Sequence, residues 1–449
     1  MSFTEVAFLA LVDFGGAYFG EKAQLARASF GGTPDFTGAS FGNRARLTDW
    51  SVGGDLVMRS THFLGAVSLH GGNVEGDAVF SYAEFEDYID LGEFFCRGSA
   101  CFSSVAIMGA SRIGPLRAEQ SIDFGGAVVR SPCAFSLVAA HADFSEARFL
   151  APLQIGFGGG DLMLEHLNNG FRLLLRGPRP VGVKMSPPRL LSLRGGDLGE
   201  VVISGFDVRP LHLAGAEGID ALRIESGVAF ERAPRGPRTH REVIAEEHAL
   251  RGKQRPKSGW YGDSCKPGRK IEAPAVDRIE LARIYRGLRK AREDMRDAPG
   301  AADFYYGEME MRRQQAREEL ANPSSLGAFT LSAGSYLLLE LYRLLGGYGV
   351  RPGRPLAVFA ALALLAAGWI DHGDLIHHIG ALPSDKTSEP VSASFEQCLV
   401  FVFRSALLLP NSAAVVPSIG AEWIQIAARV LGPLLLGLFA FGLRARVHR

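Results

Sequence analysis

Residues 3–41 read FTEVAFLALVDFGGAYFGEKAQLARASFGGTPDFTGASF, and the apolar side chains in this stretch recur on two interleaved ladders. Stepping by eleven from Phe3 reaches Phe14, Leu25, Phe36, Leu47, Met58, Leu69, Phe80, Leu91, Phe102, Ile113, Phe124 and Phe135. The same step from Phe8 reaches Phe19, Phe30, Phe41, Val52, Phe63, Val74, Phe85, Cys96, Ile107, Ala118, Val129 and Ala140. The inward positions therefore alternate five and six residues apart. A helix of 3.6 residues per turn would smear both ladders around its circumference, and a coiled coil needs gaps of three and four. A coil that bends at a corner every five or six residues fits, with four corners closing a turn of about 22 residues and neighbouring coils pairing as parallel strands about 4.8 Å apart. Glycine pairs such as Gly15-Gly16, Gly31-Gly32, Gly53-Gly54, Gly71-Gly72 and Gly125-Gly126 suit the corners. The ladders themselves read as core packing, not as a binding site.

A small residue often precedes the inward one by two places, as at Ala28, Ala39, Ala78, Ala83 and Ala127, and Ala142-Asp143-Phe144-Ser145-Glu146 shows the unit most clearly. In these features residues 2–156 resemble the pentapeptide-repeat proteins. The resemblance implies a mainly β chain built on a right-handed, four-sided parallel β-helix. The regular six-residue side departs from the family's strict five. Some pentapeptide proteins mimic DNA and bind gyrase, a role that needs a free acidic solenoid. Here 48 Lys and Arg balance 48 Asp and Glu, so no nucleic-acid role is expected.

The whole chain of 449 residues divides on composition into six stretches. Residues 1–156 are the solenoid, starting almost at Met1 with no capping element and no signal peptide, so that its first coil edge is expected to be exposed or partnered. Residues 157–231 are an irregular turn region followed by a second short solenoid piece, marked by a five-residue period at Val201, Phe206, Leu211 and Ala216. The glycines at 158–160 lack the Lys-Ser/Thr of a phosphate loop and read as a turn. Residues 232–276 form a basic, mostly exposed linker with one short helix at Glu242–Arg251, and a basic stretch of this kind can rest on anionic lipid. Residues 277–322 are a helical hairpin broken at Asp297-Ala298-Pro299-Gly300, and the ions Glu308, Glu310, Arg312 and Arg313 read as surface pairs. Residues 323–354 carry an interfacial helix at Ser335–Leu345.

Residues 355–449 are a two-span membrane module. Pro355–Ile370, with Leu356 inside it and Trp369 at its interface, is the first span; Trp423–Leu443, with Arg429 near its start and Pro433 as a kink, is the second. Gly437 and Gly442 are expected to allow close helix contact. Arg351 and Arg354 precede the first span and Arg444, Arg446 and Arg449 follow the second, while the intervening loop is acidic, so the positive-inside rule puts both termini in the cytoplasm. Leu399–Leu409, broken by Arg404, fits a re-entrant or interfacial helix, and Phe395, Arg404, Pro410 and Asn411 mark a candidate pore loop.

The segment Ala301–Arg313 and the tail Arg429–Leu436 resemble bacterial membrane proteins that join pentapeptide repeats to an ion-channel-like two-helix module. That resemblance implies an inner-membrane protein. Ser405–Asn411 replaces the Thr-Val-Gly-Tyr-Gly filter with Ser-Ala-Leu-Leu-Leu-Pro-Asn, so potassium selectivity is not carried over. No catalytic constellation stands out, and no enzyme activity or cofactor is expected. His372, His377 and His378 with Asp371 and Asp374 lack a metal-specific spacing, so no metal is assigned. The five cysteines read as reduced thiols. The expected function is a membrane-anchored scaffold whose partners are the bilayer and a protein bound through the solenoid; the alternative is a homo-oligomeric, channel-like protein with a degenerate pore.

Overall fold

The computed structural model describes residues 2, 4–178, 186–225, 230–234, 241–254, 260, 276–323, 325–373, 375–378, 391–411 and 415–447. It divides into two compact units, 1–308 and 309–449.

The first unit is a parallel β-solenoid of about ten turns followed by helices. Its register is that of the ladders. Ala7 pairs with Ser29, Ser40 with His62, and Asn73 with Phe95, each 22 residues on. Every ladder position from Phe19 to Phe135 is buried. Because each coil sits one strand spacing above the last, identical side chains stack: Phe19, Phe41, Phe63 and Phe85 lie 4.6, 5.0 and 4.8 Å apart in turn. Phe80, Phe102 and Phe124 repeat the arrangement at 4.8 and 4.7 Å. Phe14, on the first coils, is half-buried.

The corners follow a rule that the glycine pairs only partly convey. A residue with positive φ stands two places after each of the first ten members of the first ladder: Glu5, Gly16, Arg27, Gly38, Asp49, Ser60, Gly71, Tyr82, Glu93 and Ser104. The next residue closes a turn onto the ladder carbonyl, as Ala39 N–H does on Phe36 at 2.9 Å and Ala83 on Phe80 at 3.0 Å. Gly31-Gly32 and Gly53-Gly54 do not have positive φ. Left-handed backbone costs an ordinary residue roughly 1–2 kcal/mol. It persists here because the corner N–H is committed to the neighbouring coil, Arg27 to Thr48, Ser60 to Ser81 and Tyr82 to Ser103.

The eleven-residue period stops after Phe135 because the turn shortens. In Ser111–Ala118 the register slips between Ile113 and Leu116, and by Ser121, which pairs with His141, the turn holds 20 residues instead of 22, before it lengthens to 28 between Leu173 and Val201. Phe124 then stacks on Phe144 at 5.0 Å. Ala140, expected inward, is exposed, and Leu137 and Ala139 are buried in its stead. The stacking continues through 157–231. Leu153 pairs with Leu173, Leu173 with Val201, and Ile203 with Ile224. Gly159 permits this corner, since a Cβ there would stand 1.7 Å from the Ala139 carbonyl oxygen.

Helices α1 (Ala245–Gln254), α2 (Arg278–Asp294) and α3 (Ala298–Ala321) follow. The expected break between the two helices falls at residues 295–297, and Ala298, Pro299 and Gly300 already belong to α3, where Pro299 sits in the first turn and lacks only an N–H that has no intrahelical partner. The second unit contains α4 (Leu326–Gly346), α5 (Gly353–His372), α6 (Phe395–Ala406) and α7 (Ile419–Val447). It also holds an antiparallel sheet of Ile376–His378 between Val391–Ser392 and Val415–Pro417. The interfacial helix expected at Ser335–Leu345 is the second half of the longer α4, because Gly334 passes through the helix without ending it.

Candidate functional site

The open end of a solenoid presents unpaired backbone donors, and here acidic side chains accept them. Glu246 of α1 accepts from the N–H groups of Leu213 and Ala214, the latter at 3.1 Å. Glu280 of α2 accepts from Gly215 at 2.6 Å, and Arg283 donates to the Ala216 carbonyl at 3.0 Å. Beneath this cap, Arg241 donates both bonds at 2.6 Å to Glu247, and Tyr285 donates to the same carboxylate. Burial alone would raise the Glu247 carboxyl. The charges of Arg241 and Arg251, with the Tyr285 and Arg241 hydrogen bonds, outweigh it and hold the group down at about 2. Glu246 is pushed the other way by burial, against the opposing pull of His212 and its backbone donors. Arg241, Glu247 and Tyr285 are paired with one another, so the cluster reads as a fastening. Residues 241–251, expected to be an exposed basic linker, are instead largely buried, because their charges are paired inside the cap. Residues 235–240 and 261–275 of that linker lie outside the described residues.

Glu308, Glu310 and Arg313, read as surface ions, are buried too. Glu308 pairs with Arg286 at 3.1 Å and Arg289 at 3.0 Å. Arg313 bridges Glu310 and Glu340, each at 2.8 Å, and Tyr348 donates to Glu310 at 3.3 Å. Beside α2 a cleft of about 720 Å³ is lined by Arg172, Glu200, Arg223, Asp220 and Asp294, charges of both signs; Asp220 is held by Lys290 at 2.6 Å.

In the second unit α5, α6 and α7 pack on one another. Ala363, Ala367 and Ile370 of α5 meet Cys398, Phe401 and Val402 of α6 and Ala421 of α7. Two of these helices are long and apolar enough to cross a membrane: Gly353–His372, which extends the expected sixteen-residue span to 20, and Ile419–Ala440, of 22 residues. α7 itself runs on to Val447, so Arg429 stands in its first half. The close contact falls at Gly432, where a Cβ would lie 2.7 Å from the Ala406 Cβ, and at Gly442, beside Pro352; Gly437 faces open space. Pro433 lies inside α7 without ending it. Leu356, Trp369 and Trp423 are exposed.

Among the candidate pore-loop residues, Phe395 opens α6 and is exposed, and Arg404 lies in its last turn. The helix ends with Leu408 at φ 58°, and the N–H groups of Leu407, Leu408 and Leu409 bond back to Phe403, Ser405 and Arg404. Asn411 donates to the Ser405 hydroxyl at 3.2 Å, which itself donates to the Phe401 carbonyl at 2.7 Å. Pro410 is exposed. Asp374 lies outside the described residues. Among the described residues no group of three or more His, Cys, Asp or Glu is placed to hold a metal ion.

Sequence reasoning missed Glu246, Glu247 and Glu280. The signal was the acid pair Glu246-Glu247 inside a basic stretch, which calls for a local partner. No known protein family, curated protein or solved structure matches this chain.

Proposed function

We propose that the chain is a membrane-anchored scaffold: a pentapeptide-type solenoid held at the cytoplasmic face of a bacterial inner membrane by α5 and α7, offering its outer surface to a protein partner without catalysis. The observation that carries this reading is the pairing of a solenoid of about ten turns with two helices of membrane-spanning length and apolarity. Solenoids present long, regular surfaces whose stability is set by contacts between adjacent coils, which suits docking more than chemistry. The buried charge networks support it, because their groups are consumed in holding elements together. The test is fractionation of cells expressing the full chain. Retention in the membrane pellet through carbonate washing, lost when Gly353–Val447 is deleted, is the expected result; release of the intact chain by carbonate would sink the reading.

A second reading rests on α6. A 12-residue helix packed against two longer apolar ones is the plan of a channel-like module, and an oligomer of this chain would then enclose a degenerate pore under the control of the solenoid. Ion flux through reconstituted protein separates the two readings.

A further inference from the structure

We propose that α4 lies flat in the surface of the bilayer, its leucine face in the acyl chains beneath the headgroups and α3 stacked on its aqueous side; the inference rests on reading α5 and α7 as membrane spans. Helix α4 is built inside out. A helix on the surface of a water-soluble protein turns its charges to solvent and its apolar stripe to the core. In α4, Leu326, Leu331, Leu337, Leu338, Leu341 and Leu344 are exposed, Leu326 by 83% and Leu331 by 75%. At 3.6 residues per turn these six fall within an arc of about 140°. The only charged residues of the helix, Glu340 and Arg343, lie outside that arc. Glu340 pairs with Arg313 of α3 at 2.8 Å and with Arg343, and Ser332 donates to Glu319 of α3 at 3.3 Å. The segment expected to be interfacial began at Ser335, whereas the exposed face begins at Leu326.

What covers this face follows from where it ends. Leu331, Leu338 and Leu345 are seven apart and share one stripe of the helix. The first two are exposed, and Leu345 packs against the cluster of Phe359 from α5 and Leu435 from α7. The leucine face therefore looks to the side on which the two spans lie, and the lipid around the spans reaches it. Its opposite side belongs to α3. With 21 residues α4 is long enough to cross a bilayer. But α3 runs antiparallel along it, Glu319 meeting Ser332 and Arg313 meeting Glu340, so a crossing would carry the charges of α3 into hydrocarbon. Lying in the interface, with leucines toward the chains and the polar side toward α3 and water, avoids that cost. Arg351 and Arg354, where α4 gives way to α5, then add positive charge at the level of the lipid phosphates.

The test uses the full chain in lipid vesicles, with Cys101 and Cys265 changed to serine and a bimane probe on one introduced cysteine at a time. Leu337→Cys and Leu341→Cys report on α4, Leu365→Cys on the exposed side of α5, and Arg317→Cys on the exposed surface of α3. Lipids brominated high on the acyl chain should quench the 337 and 341 probes several-fold more than lipids brominated near the chain end, and neither lipid should quench the probe at 317. Unquenched probes at 337 and 341 beside a quenched probe at 365 would mean that protein covers the face, and would overturn this proposal alone. Stronger quenching of 337 and 341 by the deep bromines would mean that α4 crosses the bilayer, and would overturn it as well. An unquenched probe at 365 would overturn the span reading and this proposal together. The two α4 positions are read separately, so either decides if the other variant does not accumulate.

Discussion

At the scale of single residues, the solenoid tolerates no polarity at its ladder positions and the cap tolerates no unpaired charge. Phe80 is fully buried and stacked 4.8 Å from Phe102. Phe80→Asp removes the stacked ring and places a carboxylate where water is excluded, so it should abolish protease resistance of the solenoid, while Phe80→Leu should cost only about 1 kcal/mol. Equal protease resistance of wild type and Phe80→Asp would refute the stacked core. Glu247 carries a pH dependence whose sign follows from its depressed pKa. Its stabilising contribution is complete above the ordinary value of 4.5 and is lost as pH falls toward about 2, since the unfolded chain takes up the proton first. Hydrogen exchange at residues 211–216, which the cap covers, should therefore accelerate in that window. Glu247→Gln should remove that pH dependence and, by stranding Arg241, destabilise the cap at pH 7 by about 3–5 kcal/mol. An unchanged exchange pattern in the variant would contradict the fastening role. Cys96, whose thiol is pushed up to about 12 by burial and then by Asp77 and Glu119, should resist alkylation until the solenoid unfolds.

At the scale of elements, the end of α6 decides what the membrane module can do. Potassium selectivity requires closely spaced carbonyls that are free to replace an ion's hydration shell. The Phe403, Arg404 and Ser405 carbonyls already accept from Leu407, Leu409 and Leu408, and the three leucines are exposed. Purified protein in liposomes should thus pass potassium no faster than sodium. A potassium preference that disappears when Ser405–Asn411 is replaced would promote the channel reading to first place. The elements also differ in how far sequence reveals them. A ladder that repeats every eleven residues for twelve steps is read directly, because each position answers to the same neighbour one coil away. The change to 20 residues per turn after Ser111–Ala118 breaks the count without breaking the stack, so the later coils look irregular in sequence. The corner residues are hidden for a related reason: Arg27, Ser60 and Tyr82 carry no local mark of a left-handed backbone, which hydrogen bonds from the adjacent coil impose on them.

At the scale of the whole molecule, the reading joins a solenoid to a bilayer with a defined sidedness. The arginines flanking the two spans, against the acidic loop between them, predict that a reporter after Arg449 works only in the cytoplasm and that a cysteine at position 388 is labelled from outside. The reverse labelling pattern would invert the orientation and place the solenoid on the far side. What the sequence determined by itself is the set of repeating and compositional features: the stacked coil, its core phenylalanines, two apolar helices and the absence of a glycine filter. Each of these depends on local periodicity or on the chemistry of a continuous stretch. Tertiary structure alone decided that Glu246 and Glu280 close the end of the solenoid, that Arg241 and Glu247 are buried against Tyr285, that Glu308 and Glu310 are not surface ions, and that Gly432 and not Gly437 makes the close helix contact. Those facts join residues as far as 65 positions apart, or depend on which side of a helix a neighbour occupies. A charge or a glycine has the same local signature whether it faces solvent or a partner, so only the packed chain reveals which.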